Sequence, residues 1–523
     1  MENIFTMLIN GIMENLVYIA PVLLPIMWWY GGGKNFDYEG INYHPFSDTS
    51  YPNPTYQIKG NKWTENRMLK RLFSENKERS LKFDNFDYST YFYKKNISFL
   101  KKMFLKKAEI YINPLKLCES VVMVSPMGGG KTVTLDSLIN QPWYNRALIH
   151  EAKTGDSYKK WGNSRKDISF CPYDERAHVW DILSEDTEIV EFFIQNTINS
   201  VTGGNQSFFT NDAKERYIQL AQLTIDIEDP KEKWNYFINE IEAMFKEVEE
   251  EDSKSAKDVV ATMKQVVKML KLIRFQLEAG KKSFTINDFF KRKYQSKLFM
   301  VKVEKYNTQL KVLYTAFTAC FAMIHASQAE TKTDLTFYCL DEYLDLDMTF
   351  EAKHLLHTKI RSKGGALLTA MQYLPEEEKF FNLITSSAYA YFIFSVKNIK
   401  TRNFFDEQVG KRDYMIRKTI NAQFQENKES ENILDWAEVD RLGKDHKHIV
   451  YMPQEGSLFV AKSDFIDKKE INKDFILDES IEDFKRYQNK EYLDKKEKKA
   501  AISEQSKEYA KKGKAQKEKE KSA

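Results

Sequence analysis

The sequence is poor in the residues that mark several function classes. Four cysteines, Cys118, Cys171, Cys320 and Cys339, stand far apart among 523 residues without a C-x-x-C pair. Cys118 and Cys339 flank or lie within apolar runs, which reads as buried thiols in a reducing compartment rather than a disulfide framework. Of eight histidines, His354 and His357 share an i, i+3 helical spacing, but no third or fourth ligand accompanies them, which argues against zinc. No spacing supports a nucleophile-base-acid arrangement. An excess of charge of one sign is missing too: 79 basic against 76 acidic residues leave +3, so bulk charge neither demands nor excludes a polyanionic partner. No basic n-region precedes the first apolar run and no A-x-A site follows it, which argues against a cleaved secretory signal.

What is present is ample apolar material, 42% hydrophobic and 14% aromatic, in a chain too long for one ordinary core. The first 30 residues contain "FTMLINGIMENLVYIAPVLLPIMWWY" (5–30), long enough to cross a hydrocarbon layer of roughly 30 Å and closed by the interface-favouring Trp28, Trp29 and Tyr30. Asn10, Glu14, Asn15, Pro21 and Pro25 keep an amphipathic interfacial segment open as the alternative to a single span. Basic residues follow, from Lys34 through Arg67, Lys70 and Arg71 to "KKNISFLKKMFLKK" (94–107), and by the positive-inside tendency they put the bulk of the chain in the cytoplasm.

From about residue 118 short apolar runs recur: "VVMV" (121–124), "RALIH" (146–150), "KLFMVKV" (297–303), "LTFYCL" (335–340), "ALLTAM" (366–371) and "YAYFIFS" (389–395). They read as buried strands of a mainly parallel α/β sheet. Between about 186 and 295 charge-rich helical segments replace them. The expected layout is a membrane anchor (1–33), a basic, loop-rich juxtamembrane connector (34–117), an α/β domain in two parts (118–185 and 296–480), an inserted all-α domain (186–295) and a charged, disordered tail (481–523).

Directly after the first strand comes "SPMGGGKT" (125–132), the G-x-x-x-x-G-K-[ST] phosphate-loop pattern with Ser125 at its first glycine position. Gly128, Gly129 and Gly130 would let backbone N–H groups converge on phosphates at the N-terminus of the following helix. Lys131 would reach the β and γ phosphates of ATP, and Thr132 would ligate Mg²⁺ through its hydroxyl. The bland alternative is a glycine turn whose Lys and Thr face solvent. The run "LTFYCLDEYLDLD" (335–347) supplies carboxylates: Asp341 at a strand tip for the Mg²⁺ shell, and Glu342 to polarise a water for in-line attack. Gln372, at the tip of the next strand, stands where a polar side chain can sense the γ-phosphate, or is an ordinary strand-end residue.

The order of these pieces resembles the type IV coupling proteins of bacterial conjugation, the TraD/TraG-type inner-membrane ATPases. Other matching pieces are "HEAKTGDSYKKW" (150–161), "SFCPYDERAHVWDIL" (169–183), "NQSFFTNDAKERY" (205–217), "IRSKGGALLTAMQYL" (360–374) and "FSVKNIKTRNFFDEQVGKRDY" (394–414). The resemblance implies a RecA-like P-loop NTPase with an inserted all-α domain and an N-terminal anchor in the bacterial inner membrane. It implies a homo-hexameric ring that hydrolyses ATP, engages single-stranded DNA without sequence preference, and couples a relaxase complex to a type IV secretion channel. Arg361 is the implied arginine acting across a subunit boundary, with Arg402 as its rival. Candidate DNA contacts are Lys397, Lys400, Lys411 and Arg412. Two other readings stay open, a DNA pump of the FtsK/HerA type and a nucleotide-dependent membrane scaffold that recruits protein substrates.

Overall fold

The computed structural model describes residues 108–486, apart from 152–154, 203–207, 251–253, 421–422, 443–445, 464–465, 467–469, 474 and 485, together with four short strands between 37 and 86. The expected anchor (1–33) and the tail beyond 486 lie outside the described residues. Two compact units form, a larger one with residues 111–392 and the described residues from 463 onward, and a smaller one built around 393–462.

The larger unit is organised by a parallel sheet. Its strands are β1 (Val121–Val124), β2 (Arg146–His150), β3 (Ile168–Phe170), β4 (Ser296–Met300), β5 (Thr336–Leu340), β6 (Gly365–Met371) and β7 (Ala390–Ile393). They lie in the order β7-β1-β6-β5-β2-β4-β3, and each pairing from β1 across to β3 is parallel. Every residue of these strands is buried, so covered faces on both sides explain the unbroken apolar runs. Parallel pairing also sends all the C-terminal tips to one edge, where Ser125, Glu151, Asp341 and Gln372 follow their strands.

Helix α1 (Lys131–Ile139) follows β1, and α2 (Asp156–Trp161) follows β2. The two are tied by Asp136, which accepts from Lys160 Nζ at 2.7 Å and Trp161 Nε1 at 3.0 Å. The insertion consists of α3 (Thr187–Thr202), α4 (Phe208–Gln222), α5 (Pro230–Glu250) and α6 (Lys254–Glu278). Its root is the "VWD" piece. Val179–Trp180 pairs in parallel with Ser283–Phe284, buried Trp180 donates to Glu185 at 2.9 Å, and Asp181 accepts from Trp234 of α5 at 2.7 Å. Among the described residues one helical stretch, Glu304–Ser327, is long and apolar enough to cross a membrane; 72% buried, it is a core helix of this unit. Within it Tyr314 donates to Phe170 O and Val301 O, both at 2.8 Å, which pins the helix across β3 and β4.

The smaller unit contains a hairpin, Lys411–Ile420 against Gln423–Asn432, and a second one, Lys447–Met452 against Ser457–Lys462. Thr55–Gly60 pairs with the first and Leu81–Phe86 with the second. Strands therefore occur within 34–117, where a loop-rich connector was expected. Their partners lie more than 300 residues downstream, and "TYQIKG" is too polar to announce itself as a strand.

Candidate nucleotide site

The phosphate loop owes its shape to three glycines and one serine. Gly128 and Gly130 adopt left-handed φ values of +77° and +95°, where a side chain would be strained. Gly129 is needed for space: a Cβ there would stand 2.5 Å from Ser125 Oγ. Ser125 is completely buried, donating from its N–H to Met371 O of β6 at 3.0 Å and from its hydroxyl to Pro126 O at 3.2 Å. A serine at the first position is thus accommodated inside the loop by the missing side chain at Gly129. Gly130 caps α1 without a side-chain hydrogen bond, and the first turn holds no acidic residue. A helix N-terminus left in this state favours an anion.

Lys131 Nζ makes an ion pair with Asp341 Oδ1 at 2.7 Å, with both side chains nearly buried. Asp341 is further fixed by its N–H, which donates to His150 O at 3.2 Å, and by its carbonyl, which His150 Nδ1 meets at 2.7 Å. Its Oδ1 also accepts the N–H of Glu342 at 3.0 Å. Glu342 occupies a left-handed backbone conformation, φ 49° and ψ 49°. Its Oε2 lies 3.3 Å from Lys302 Nζ, and Asp345 and Glu304 stand near the same ammonium at 3.8 and 3.9 Å.

The structure therefore brings together Gly128, Gly129, Gly130, Lys131, Thr132, Asp341 and Glu342. Gln372 follows β6, whose end pairs with that of β1 (Met371 opposite Val124), so it flanks the start of the loop with its side chain exposed. Arg361 is not part of this cluster within one chain. It pairs with Glu119 at 2.7 Å, just before β6 and β1 begin, at the opposite end of strands that rise about 3.3 Å per residue. Arg402, in the smaller unit, pairs with Asp440 at 3.0 Å, stacks on Trp436 with its guanidinium 5.3 Å from the ring, and donates to Val396 O. Lys397 and Lys400 are exposed beside Ile399, itself 74% exposed, while Lys411 and Arg412 begin a hairpin strand. His357 is buried with its ring nitrogens on Tyr343 Oη and Ser387 Oγ, each at 3.1 Å.

Three residues of the site escaped the sequence reading of roles. Lys302 interrupts the apolar run "LFMVKV" just past β4, and a lysine so placed is a signal for a nearby counter-ion. His150 ends β2. Glu151, the next residue, is 4% exposed, and burial pushes its carboxyl up to about 8.

A parallel sheet whose first strand feeds a glycine loop and helix, with an acidic tip two strands away, defines a P-loop nucleotide-binding domain of RecA-like fold, here with an all-α insertion. A family model described as the type IV secretion-system coupling protein DNA-binding domain matches residues 106–455, and the chain belongs to that family. Among solved structures it is similar to the bacterial conjugative coupling protein TrwBΔN70, at TM-score 0.60 and 15% identity over 80% of this chain and 96% of that one. TrwB in complex with ADP and Mg²⁺ matches at TM-score 0.59 and 15% identity, covering 83% and 100%. TrwB with a non-hydrolysable ATP analogue matches at 0.58 and 15%, covering 81% and 97%. No curated protein sequence matches the chain.

Proposed function

We propose that the protein is a membrane-anchored ATPase that couples a relaxase complex to a type IV secretion channel and drives DNA transfer during conjugation. The observation that carries this reading is the Lys131–Asp341 ion pair beside an uncapped, glycine-shaped helix N-terminus. The residues suit Mg·ATP: a cationic side chain and loop amides for phosphate, and the hard oxygens of Thr132 and Asp341 for Mg²⁺. TrwB, with the same fold, holds ADP and Mg²⁺ in one of its structures. When bound, Mg²⁺ neutralises charge on the phosphates. With nucleotide bound, Lys131 would pair with a phosphate oxygen instead of Asp341, whose carboxylate would then be available to hold the metal. Glu342 orients a water and accepts its proton, and Gln372 stands beside the γ-phosphate.

Arg361 acts on a neighbouring subunit of a homo-hexamer, a role consistent with its distance from its own chain's loop and its 57% exposed side chain. Lys397, Lys400, Lys411 and Arg412 meet single-stranded DNA through phosphates, without sequence preference. Residues 1–33 hold the protein in the inner membrane with its bulk in the cytoplasm.

The test is steady-state ATP hydrolysis by the full-length, detergent-solubilised protein titrated with single-stranded DNA, beside Lys131→Ala and Glu342→Gln. Stimulation by DNA that disappears in both variants supports the proposal. Turnover indifferent to DNA favours activation by a protein partner, and absence of turnover in membrane-embedded protein leaves the scaffold reading instead.

A further inference from the structure

Glu151 is an acidic side chain that the site holds but the scheme above does not use. Its Oε1 accepts the N–H of Tyr158 at 2.9 Å, while its Oε2 is buried and has no hydrogen-bond partner among the described residues. A buried polar atom in that condition is costly and calls for a reason. Its position suggests one. With Thr132, His150, Asp156 and Asp341, Glu151 lines a cavity of about 20 Å³, room for a single water. The lysines nearby are engaged elsewhere, Lys131 with Asp341 and Lys302 with Glu342. A cavity of that size holds one water and not a hydrated cation. That leaves contact through water.

We infer that Glu151 is a positioning residue for the Mg²⁺ ion: its Oε2 accepts a hydrogen bond from a water that belongs to the hydration shell of the ion bound at Thr132 and Asp341. The inference rests on the Mg·nucleotide reading of the loop. β2 lies directly beside β5, so the Glu151 and Asp341 carboxylates leave adjacent strand tips. Mg²⁺ dehydrates reluctantly and keeps several waters, so a shell water needs an acceptor that fixes its direction. Glu151→Gln is a clean probe, because the amide oxygen still accepts from Tyr158 while the oxygen facing the cavity is replaced by a donor.

The experiment measures binding of a fluorescent ADP analogue to the full-length protein, first in EDTA and then in a Mg²⁺ titration, for wild type, Glu151→Gln and Glu151→Asp. The expected result is metal-free affinity unchanged in Glu151→Gln, with the Mg²⁺ concentration that half-saturates the tightening raised about 10-fold or more, and partial recovery in Glu151→Asp. A Mg²⁺ response in Glu151→Gln equal to wild type overturns the inference and leaves nucleotide binding standing. Equal loss with and without metal also overturns it, by making Glu151 a support of the loop. Failure of the wild-type protein to bind the analogue at all would instead strike the underlying Mg·nucleotide reading.

Discussion

Lys302 and Glu342 form an ion pair at 3.3 Å that reaches across the tip of β2, from the end of β4 to the end of β5, with side chains 13% and 19% exposed. The left-handed backbone at Glu342, which costs a non-glycine residue about 1–2 kcal/mol, aims the same carboxylate. Two devices thus hold one side chain. If Glu342 orients the attacking water as proposed, Lys302→Met is expected to lower kcat for ATP on the order of 10- to 100-fold with KM little changed, because that carboxylate is displaced while phosphate binding is not. Lys302→Arg should retain most of the rate. Steady-state kinetics decide the matter: a rise in KM at constant kcat would make Lys302 a nucleotide-binding residue and not a positioning one.

Ser125 and Gly129 are expected to be coupled. A methyl group at Gly129 would stand 2.5 Å from Ser125 Oγ but 3.3 Å from the nearest Pro126 atoms, so most of the conflict lies with the serine. Gly129→Ala should weaken nucleotide binding and lower Tm, and adding Ser125→Gly should restore much of both. A double-mutant cycle measures the coupling. Additive effects would mean that the loop relaxes around the alanine without pressing on Ser125.

Much of the sheet was legible because its strands are covered on both faces. "VVMV", "RALIH" and "TFYCL" are buried end to end and bounded by turns, and the loop glycines and Asp341 follow from what stands next to those runs. Strand β3 was not expected: three residues, Ile168–Phe170, after a charged stretch carry too little pattern. Lys302 and Glu151 have their meaning only through tertiary neighbours, Glu342 from 40 positions away and a cavity shared with α1 and β5. The strand Thr55–Gly60 is specified by pairing with Lys411–Ile420, a relation no local window contains. Arg361 shows the reverse limit, for its motif is plain while the structure pairs it with Glu119, away from the phosphate loop of its own chain.

The folded part of the larger unit extends beyond residue 480. Ile481 is 1% exposed, Phe484 packs on Phe275 at 5.1 Å, Asp478 pairs with Lys281, and Asp478 N–H donates to Tyr173 O at 3.1 Å. Ile481→Ala should cost about 2–5 kcal/mol and Phe484→Ala about 3–5 kcal/mol of unfolding free energy. Chemical denaturation followed by tryptophan fluorescence reads both, and effects below about 0.5 kcal/mol, the level of surface substitutions, would show that this segment does not belong to the core.

The last prediction concerns acid. His325 and His357 are buried, and burial lowers their pKa values to about 4 and about 3. His325 Nε2 stands 2.9 Å from Lys363 O and Nδ1 stands 2.7 Å from Tyr338 Oη, so the neutral ring donates to the carbonyl and accepts from the phenol. A second ring proton would take away that acceptor. In the unfolded chain each histidine titrates near 6.5. Below that pH the unfolded state binds protons that the folded state refuses, so stability, fully present above 6.5, falls as pH drops toward the folded values. The slope is about 1.4 kcal/mol per pH unit for each histidine. Unfolding measured between pH 7.5 and 5 should therefore steepen below 6.5, and His357→Gln should remove about one proton from the slope. An unchanged slope in that variant would show that His357 takes up its proton in the folded protein, at the expense of its contacts with Tyr343 and Ser387.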